Sequence, residues 1–338
     1  MINPIIQAPM AGGVTTPGLV HEVCCHGGLG FLAAGYLPVT KLKEQIIRVR
    51  SLGTKVFGVN LFVPNEPTVI TKELLAYQDR INHFARAFQI KTGKLEYSDD
   101  AWVEKLDLIK KMEVPYVSFT FGCPSNELFE QLKALHIQTI VTVTTVKEAE
   151  QAECAGADFV CAQGIEAGGH RGSFINEKQI DEPLTTSVLV ERLLEKITIP
   201  IIAAGGVMNG KQIKSLLDQG AIAIQLGTAF LCCTESGTNR LHRESLMNKA
   251  FTKTELTRAY TGRFARGLSQ PFIGQNKDAP YAYPEIHYLT QSLRKEAVSI
   301  GRADIAALWA GSNFKQIRAM PAGKLVKTLA AEAGILLS

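Results

Sequence analysis

The sequence predicts a TIM (β/α)8 barrel with a smaller, mostly helical covering domain. Three observations carry that expectation. Short apolar, β-branched runs alternate with amphipathic stretches, the rhythm of βα units on a parallel sheet. The strand candidates number eight: "PIIQAPM", "GFLAAG", "VFGVNLFV", "YVSFTFG", "TIVTVT", "FVCAQG", "IPIIAAGG" and "AIAIQLGTA". The glycines also argue against an open doubly wound sheet. "AGGVTTPG" after the first run lacks the G-x-G-x-x-G turn, and "HGGLGFLAAG" leads into a strand rather than a helix.

Taken in order, helical patterns separate the strands at Pro17–Cys25, Val39–Arg50, Ala101–Met112, Asn126–Leu135, Val146–Ala155, Thr186–Lys196 and Asn209–Gln219. Pro17 suits a first helical turn. Gly156 and Gly220 fall just past helix ends, where a left-handed residue costs least. Two stretches break the rhythm. Residues 67–100 are polar and read as largely helical. After about Thr234, "HYLTQSLRKEAVSIGRADIAALWAG" reads as a helix, a Gly-Arg-Ala-Asp turn and a second helix. "PAGKLVKTLAAEAGILLS" reads as a terminal helix on the outside. The expected division is a barrel from residues 1–66 and 101–233, a cover from 67–100 and 234–318, and a C-terminal helix at 319–338.

Composition narrows the function. Of 338 residues, 46% are apolar and 20% charged, a folded and not a disordered balance. The net charge is +4 with Lys and Arg dispersed, so no nucleic-acid surface is indicated. "MINPIIQAPM" lacks a secretory pattern, and apolar stretches such as Ala221 to Cys233 are too short to span a bilayer, so a cytoplasmic location and no membrane partner are expected. Seven cysteines, with adjacent pairs at Cys24–Cys25 and Cys232–Cys233 and no C-x-x-C, read as reduced, mostly buried thiols, with no metal site.

In a barrel the chemistry gathers at the C-terminal strand ends. "AAGGV" and "QLGTAF" close the seventh and eighth runs, where such barrels often bind a phosphate. Gly205, Gly206 and Gly227 let backbone N–H groups approach an anion, and Thr228 adds a hydroxyl. In "QGIEAGGHRGSF" the pair Gly168–Gly169 delivers His170, whose ordinary pKa of about 6.5 suits proton transfer at neutral pH. Glu166 reads as a structural partner for a nearby cation, and Arg171 as pointing outward or pairing with an acid. Asn60, Gln163 and Gln225 are amides inside apolar strands and need partners. Either neighbouring loops supply them or, for Asn60 and Gln163, a heteroaromatic ring does; such a ring with a phosphate tail describes FMN.

"QAPMAGGVTTPGLVHEVCCHGGLGFLAAG", "GVNLFVP", "SFTFGCP", "QGIEAGGHRGSF", "IPIIAAGGV" and "QLGTAFL", spanning Gln7 to about Leu231, resemble the nitronate monooxygenases, formerly 2-nitropropane dioxygenases, of the class I kind; "YTGRFARGL" at Tyr260–Leu268 is similar to a further family element. The resemblance implies an FMN-dependent enzyme that oxidises nitronates or nitroalkanes with O2 to a carbonyl compound and nitrite, through a flavin semiquinone. It also implies that Met10, Asn60, Gln163, Gly168, Gly206, Gln225, Leu226, Gly227 and Thr228 contact FMN and that His170 is catalytic. His170 then either removes the α-proton of a neutral nitroalkane or, protonated, holds the nitro oxygens of a nitronate. The competing readings are an NAD(P)H-dependent FMN reductase on the same scaffold, acting on enoyl-acyl carrier protein or on quinones, and a phosphate-ligand sensor with no use for His170. Fold-level analogy suggests a homodimer.

Overall fold

The computed structural model describes residues 2–177, 179 and 182–337. In chain order the strands are β1 (Ile5–Gln7), β2 (Leu29–Ala33), β3 (Gly58–Phe62), β4 (Tyr116–Thr120), β5 (Gln138–Val143), β6 (Phe159–Gln163), β7 (Gly169–His170), β8 (Ile201–Ala204), β9 (Ala223–Leu226), β10 (Thr254–Thr257) and β11 (Ala265–Leu268). Strands β1 to β6, β8 and β9 close a parallel barrel. The seam is β1 against β9, with Ile5 opposite Ile224 and Gln7 opposite Leu226. The expected barrel is therefore present, built from the eight runs picked out above.

Alternation along each strand sorts its side chains. One set packs outward against the helices, among them Leu32, Val59, Val117, Val141 and Ile224. The other points inward, where Ile6, Leu29, Phe31, Ile140, Cys161 and Ile202 form an apolar plug. Phe31 fits because Gly58 has no side chain: a Cβ there would stand 2.1 Å from the Phe31 ring. Two residues further along, the inward rows turn polar at Asn60, Thr142, Gln163 and Gln225. The barrel is thus dry at one end and hydrogen-bonding at the other.

A second apolar cluster lies outside the barrel and includes Leu74, Tyr77, Ile81, Phe272, Leu289 and Leu293. It joins the helix Lys72–Arg86 to the helix Glu285–Ser299. This region departs from expectation in three ways. Only Lys72–Arg86 of the first stretch is helical up to Asp100; beyond it the chain runs irregularly, and Gly93 N donates to Leu289 O at 3.0 Å. The second helix expected after Gly301 does not form. Its backbone is taken up by a strand edge: Leu268 N donates to Leu308 O at 2.9 Å, and Gly267 bridges Trp309. Third, β10, β11 and β7 make an antiparallel sheet that polar stretches such as "TELT" did not announce.

The helix Ala322–Ala333 does pack on the barrel's outside, burying Leu325, Val326 and Leu329. All seven cysteines are free. Only Cys161, Cys232 and Cys233 are buried, whereas Cys25 and Cys154 are exposed, so the expectation of mostly buried thiols is too broad. Among the described residues no helix is long and apolar enough to cross a membrane.

Candidate active site

A cavity of about 600 Å³ opens over the polar end of the barrel. Met10, Asn60, Gln163, Gly168, His170, Gly206, Gln225, Leu226, Gly227 and Thr228 all line it. The tips of β1, β3, β6, β8 and β9 therefore meet in one place.

The tips of β8 and β9 present unspent donors. Gly205 and Gly206 hold φ values of 125° and 69°, in the left-handed region that favours glycine. A Cβ on Gly205 would stand 2.7 Å from Thr186 Oγ1, so the turn also needs the space. Among the described residues no acceptor stands against the N–H groups of Gly206, Gly227 and Thr228. Thr228 Oγ1 accepts from Gly311 N at 2.9 Å, and Asn313 Nδ2 donates to Gly206 O at 2.6 Å, which ties both turns to the segment after Trp309. Leu226 packs its side chain in the outer core, so it offers the cavity only backbone.

The three strand amides differ in what they have left. Asn60 Nδ2 donates to Ser118 O, Ser118 Oγ and Thr120 Oγ1, which leaves Oδ1 as a free acceptor. Gln225 Nε2 reaches Cys161 Sγ at 3.3 Å and leaves its Oε1 free. Gln163 is the most committed. Its Nε2 donates to His170 O at 3.0 Å and its Oε1 accepts from Gly172 N at 2.8 Å, so it braces the histidine loop.

That loop is held from several sides. Gly168 lies against Ala310 and Gly311, where a Cβ would approach Gly311 N to 2.5 Å. His170 pairs with Ala265 across β7 and β11. Glu166 accepts from Thr186 N at 3.0 Å and from its hydroxyl at 3.2 Å, the structural role expected of it. Arg171 departs from the first of its two expected placements. It does not point outward but is 4% exposed, donating to the carbonyls of Gln163, Thr144 and Glu182.

His170 sits in an aromatic enclosure, with ring centroids at 5.8 Å from Phe121, 6.1 Å from Tyr283 and 5.6 Å from Trp309. Its Nε2 lies 3.0 Å from Thr261 Oγ1. The Thr261 hydroxyl donates to Arg263 O at 3.2 Å, so it accepts the Nε2 proton and leaves Nδ1 as the basic nitrogen. Burial, then the guanidiniums of Arg263 and Arg294, push the imidazole pKa down to about 3. The ring is thereby held unprotonated at neutral pH. Replacing Thr261 by valine should free the tautomer and lower kcat by about tenfold, the worth of one lost hydrogen bond. Steady-state kinetics with unchanged flavin content checks this, and a kcat equal to wild type contradicts it.

Thr261, Tyr36, Tyr283, His287, Arg294 and Trp309 were not named from sequence as site residues. For Thr261 the signal existed, since "YTGRFARGL" stood out as a block. Tyr36 stacks on His287 with centroids 3.8 Å apart, and its hydroxyl lies 2.9 Å from that of Tyr283.

The glycine tips, free amide oxygens and imidazole of a parallel barrel thus share one cavity. The chain belongs to the nitronate monooxygenase family, whose model matches residues 1–332. It is 37% identical over 331 residues to a probable nitronate monooxygenase of Staphylococcus aureus strain Newman, covering 96% of this chain and 93% of that one. Among solved structures it is similar to the nitroalkane oxidase of Streptomyces ansochromogenes, with a TM-score of 0.95 and 43% identity over 98% of this chain and 96% of the other. FabK from Thermotoga maritima superposes less well, with a TM-score of 0.75 and 26% identity over 98% and 93% of the two chains.

Proposed function

We propose that this chain uses FMN to oxidise alkyl nitronates, and the nitroalkanes they come from, with O2 to a carbonyl compound and nitrite. The observation that carries the reading is the meeting of the β8 and β9 glycine tips with His170 in one cavity. The donor set fits the cofactor. The unspent N–H groups of Gly206, Gly227 and Thr228 suit its phosphate. The free oxygens of Asn60 and Gln225 suit a ring that donates and accepts hydrogen bonds, and Met10 stands at the mouth of β1. When bound, the flavin supplies the electron-accepting, oxygen-reactive ring.

The chain's own part is position, protonation and dryness. His170 Nδ1 takes the α-proton from a neutral nitroalkane; a substrate that arrives ionised needs no such step. Thr261 holds the ring in the competent tautomer. Phe121, Tyr283 and Trp309 keep bulk water from the imidazole. The greater likeness to the Streptomyces nitroalkane oxidase than to FabK favours this reading over a reductase using NAD(P)H.

The test is spectroscopic. Purified protein should be yellow and release FMN on denaturation. Under anaerobic conditions ethyl nitronate should bleach the flavin bands, and NADPH or NADH should not. Bleaching by a reduced nicotinamide but not by the nitronate would establish the reductase, and a colourless protein would favour a sensor.

A further inference from the structure

The helix Glu285–Ser299 brings His287, Gln291, Arg294, Lys295 and Val298 to the same cavity, at the spacing of one helical face. Within that face Arg294 is the anomaly. Its Nε donates to Thr290 Oγ1 at 3.1 Å, and its Nη2 donates to His287 Nδ1 at 3.2 Å and His287 O at 2.9 Å. These bonds fix the guanidinium and leave Nη1 with both protons unspent. Among the described residues no carboxylate forms an ion pair with it. The groups that surround it electrostatically are phenols, those of Tyr36, Tyr260 and Tyr283, each held neutral by burial. The nearby carboxylate of Asp100 is already matched by Lys105 at 2.7 Å.

A guanidinium does not give up its proton, so burial cannot discharge it. Arg294 is partly buried, and a charge drawn part-way out of water without a counter-ion is costly unless a ligand completes it. Arg294 and His170 line the same cavity, and the guanidinium helps to hold the imidazole unprotonated.

We infer that Arg294 is the anion seat of this cavity: its free Nη1 binds the oxygens of the substrate's ionised nitro group while His287 and Thr290 hold the guanidinium in place. This rests on the nitronate reading above and deepens it. The two nitronate oxygens share one negative charge, and a guanidinium recognises such a planar oxyanion through charge-assisted hydrogen bonds. Lys295, exposed on the same helical face, keeps the approach positive. His287 is a positioning residue. A guanidinium only donates, so His287 Nδ1 accepts from Arg294, and its buried Nε2 carries the proton. One consequence is selectivity for the ionised substrate over its neutral parent. Another is that a nitronate formed at His170 is stabilised where it forms.

The experiment uses holoenzyme with its flavin and nitrate, a planar monoanion that matches the nitronate head but cannot be oxidised by the same route. Nitrate binding is read from its perturbation of the flavin absorbance, alongside KM and kcat for ethyl nitronate. Arg294→Gln should weaken nitrate by about tenfold or more and raise the nitronate KM by a similar factor, with kcat changed by less than about threefold. Arg294→Lys, which keeps the charge, should recover most of the nitrate binding. Unchanged nitrate affinity in Arg294→Gln overturns the assignment. Should that variant fail to fold, wild type still decides: nitrate must bind about tenfold tighter than acetamide, a neutral planar molecule of similar size, and equal binding overturns the seat. Nitrate binding that depends on Arg294 in an enzyme that does not turn over ethyl nitronate upholds the seat and overturns the nitronate reading.

Discussion

Replacing His170 by asparagine should lower kcat for nitroethane by about 10²- to 10⁴-fold, the range for loss of a positioned general base. Flavin content should not change, because the substitution keeps the His170 carbonyl that Gln163 holds and leaves the β8 and β9 tips untouched. Ethyl nitronate, which has no α-proton to lose to the base, should lose far less. The contrast between the two substrates is the measurement, and an equal loss on both contradicts the base role. The pH profile adds a second check. With its pKa held near 3 by burial and by Arg263 and Arg294, His170 remains unprotonated well below neutrality. Turnover of nitroethane should therefore show no acid limb from this group between about pH 5 and 7, where an ordinary histidine would titrate. A limb in that window that disappears in His170→Asn refutes the depressed pKa. The linkage sign is that of a histidine kept neutral: the unfolded chain binds the proton more readily, so stability falls as pH drops from about 6.5 toward 3.

Replacing Lys105 by methionine should cost about 3–5 kcal/mol of stability, the penalty for stripping one partner from a buried ion pair. Lys105 is 1% exposed, bridges Asp100 at 2.7 Å and donates to Ala34 O at 2.9 Å. Asp100 in turn accepts from Tyr36 N at 2.9 Å. Burial raises the Asp100 pKa and lowers that of Lys105, and each charge works against the shift of the other. Tyr36 is the residue stacked on His287, so the damage should reach the cavity as well. Urea unfolding measures the loss. The double variant Lys105→Met with Asp100→Asn should recover part of it, because no lone charge remains. A loss below about 1 kcal/mol for the single variant would show that the pair is solvated.

The barrel was legible because its strands are buried on both faces and stand out as unbroken apolar runs such as "IPIIAAGG". The glycine tips were legible because Gly205, Gly206 and Gly227 interrupt those runs where a strand ends. Asn60, Gln163 and Gln225 were visible as amides among apolar neighbours. How each amide is used was not visible, since Gln163 turns back on its own loop through contacts no local pattern encodes. Tyr36, Thr261 and the helix carrying His287 and Arg294 lie apart in sequence and meet only in the folded chain; on a helix, a partly buried arginine looks like any solvated one. The missing second helix has a similar cause. "ADIAALWAG" has good helical residues, but Leu308 and Trp309 are claimed by the edge of β11, and tertiary pairing overrides propensity.

The chain leaves the barrel after β3 and returns at the helix Trp102–Lys111, then leaves again after β9 and returns at the helix Ala322–Ala333. That last helix is pinned, with Glu332 accepting from Gly210 N at 2.9 Å and Ala322 N donating to Glu235 at 2.9 Å. The roof of the cavity is therefore moored at both ends of both excursions. Each excursion thus hands the chain back to the barrel through a helix that packs on it. At the rim of the cavity Gln291 and Lys295 stand exposed, so a polar and a positive side chain meet whatever approaches from solvent.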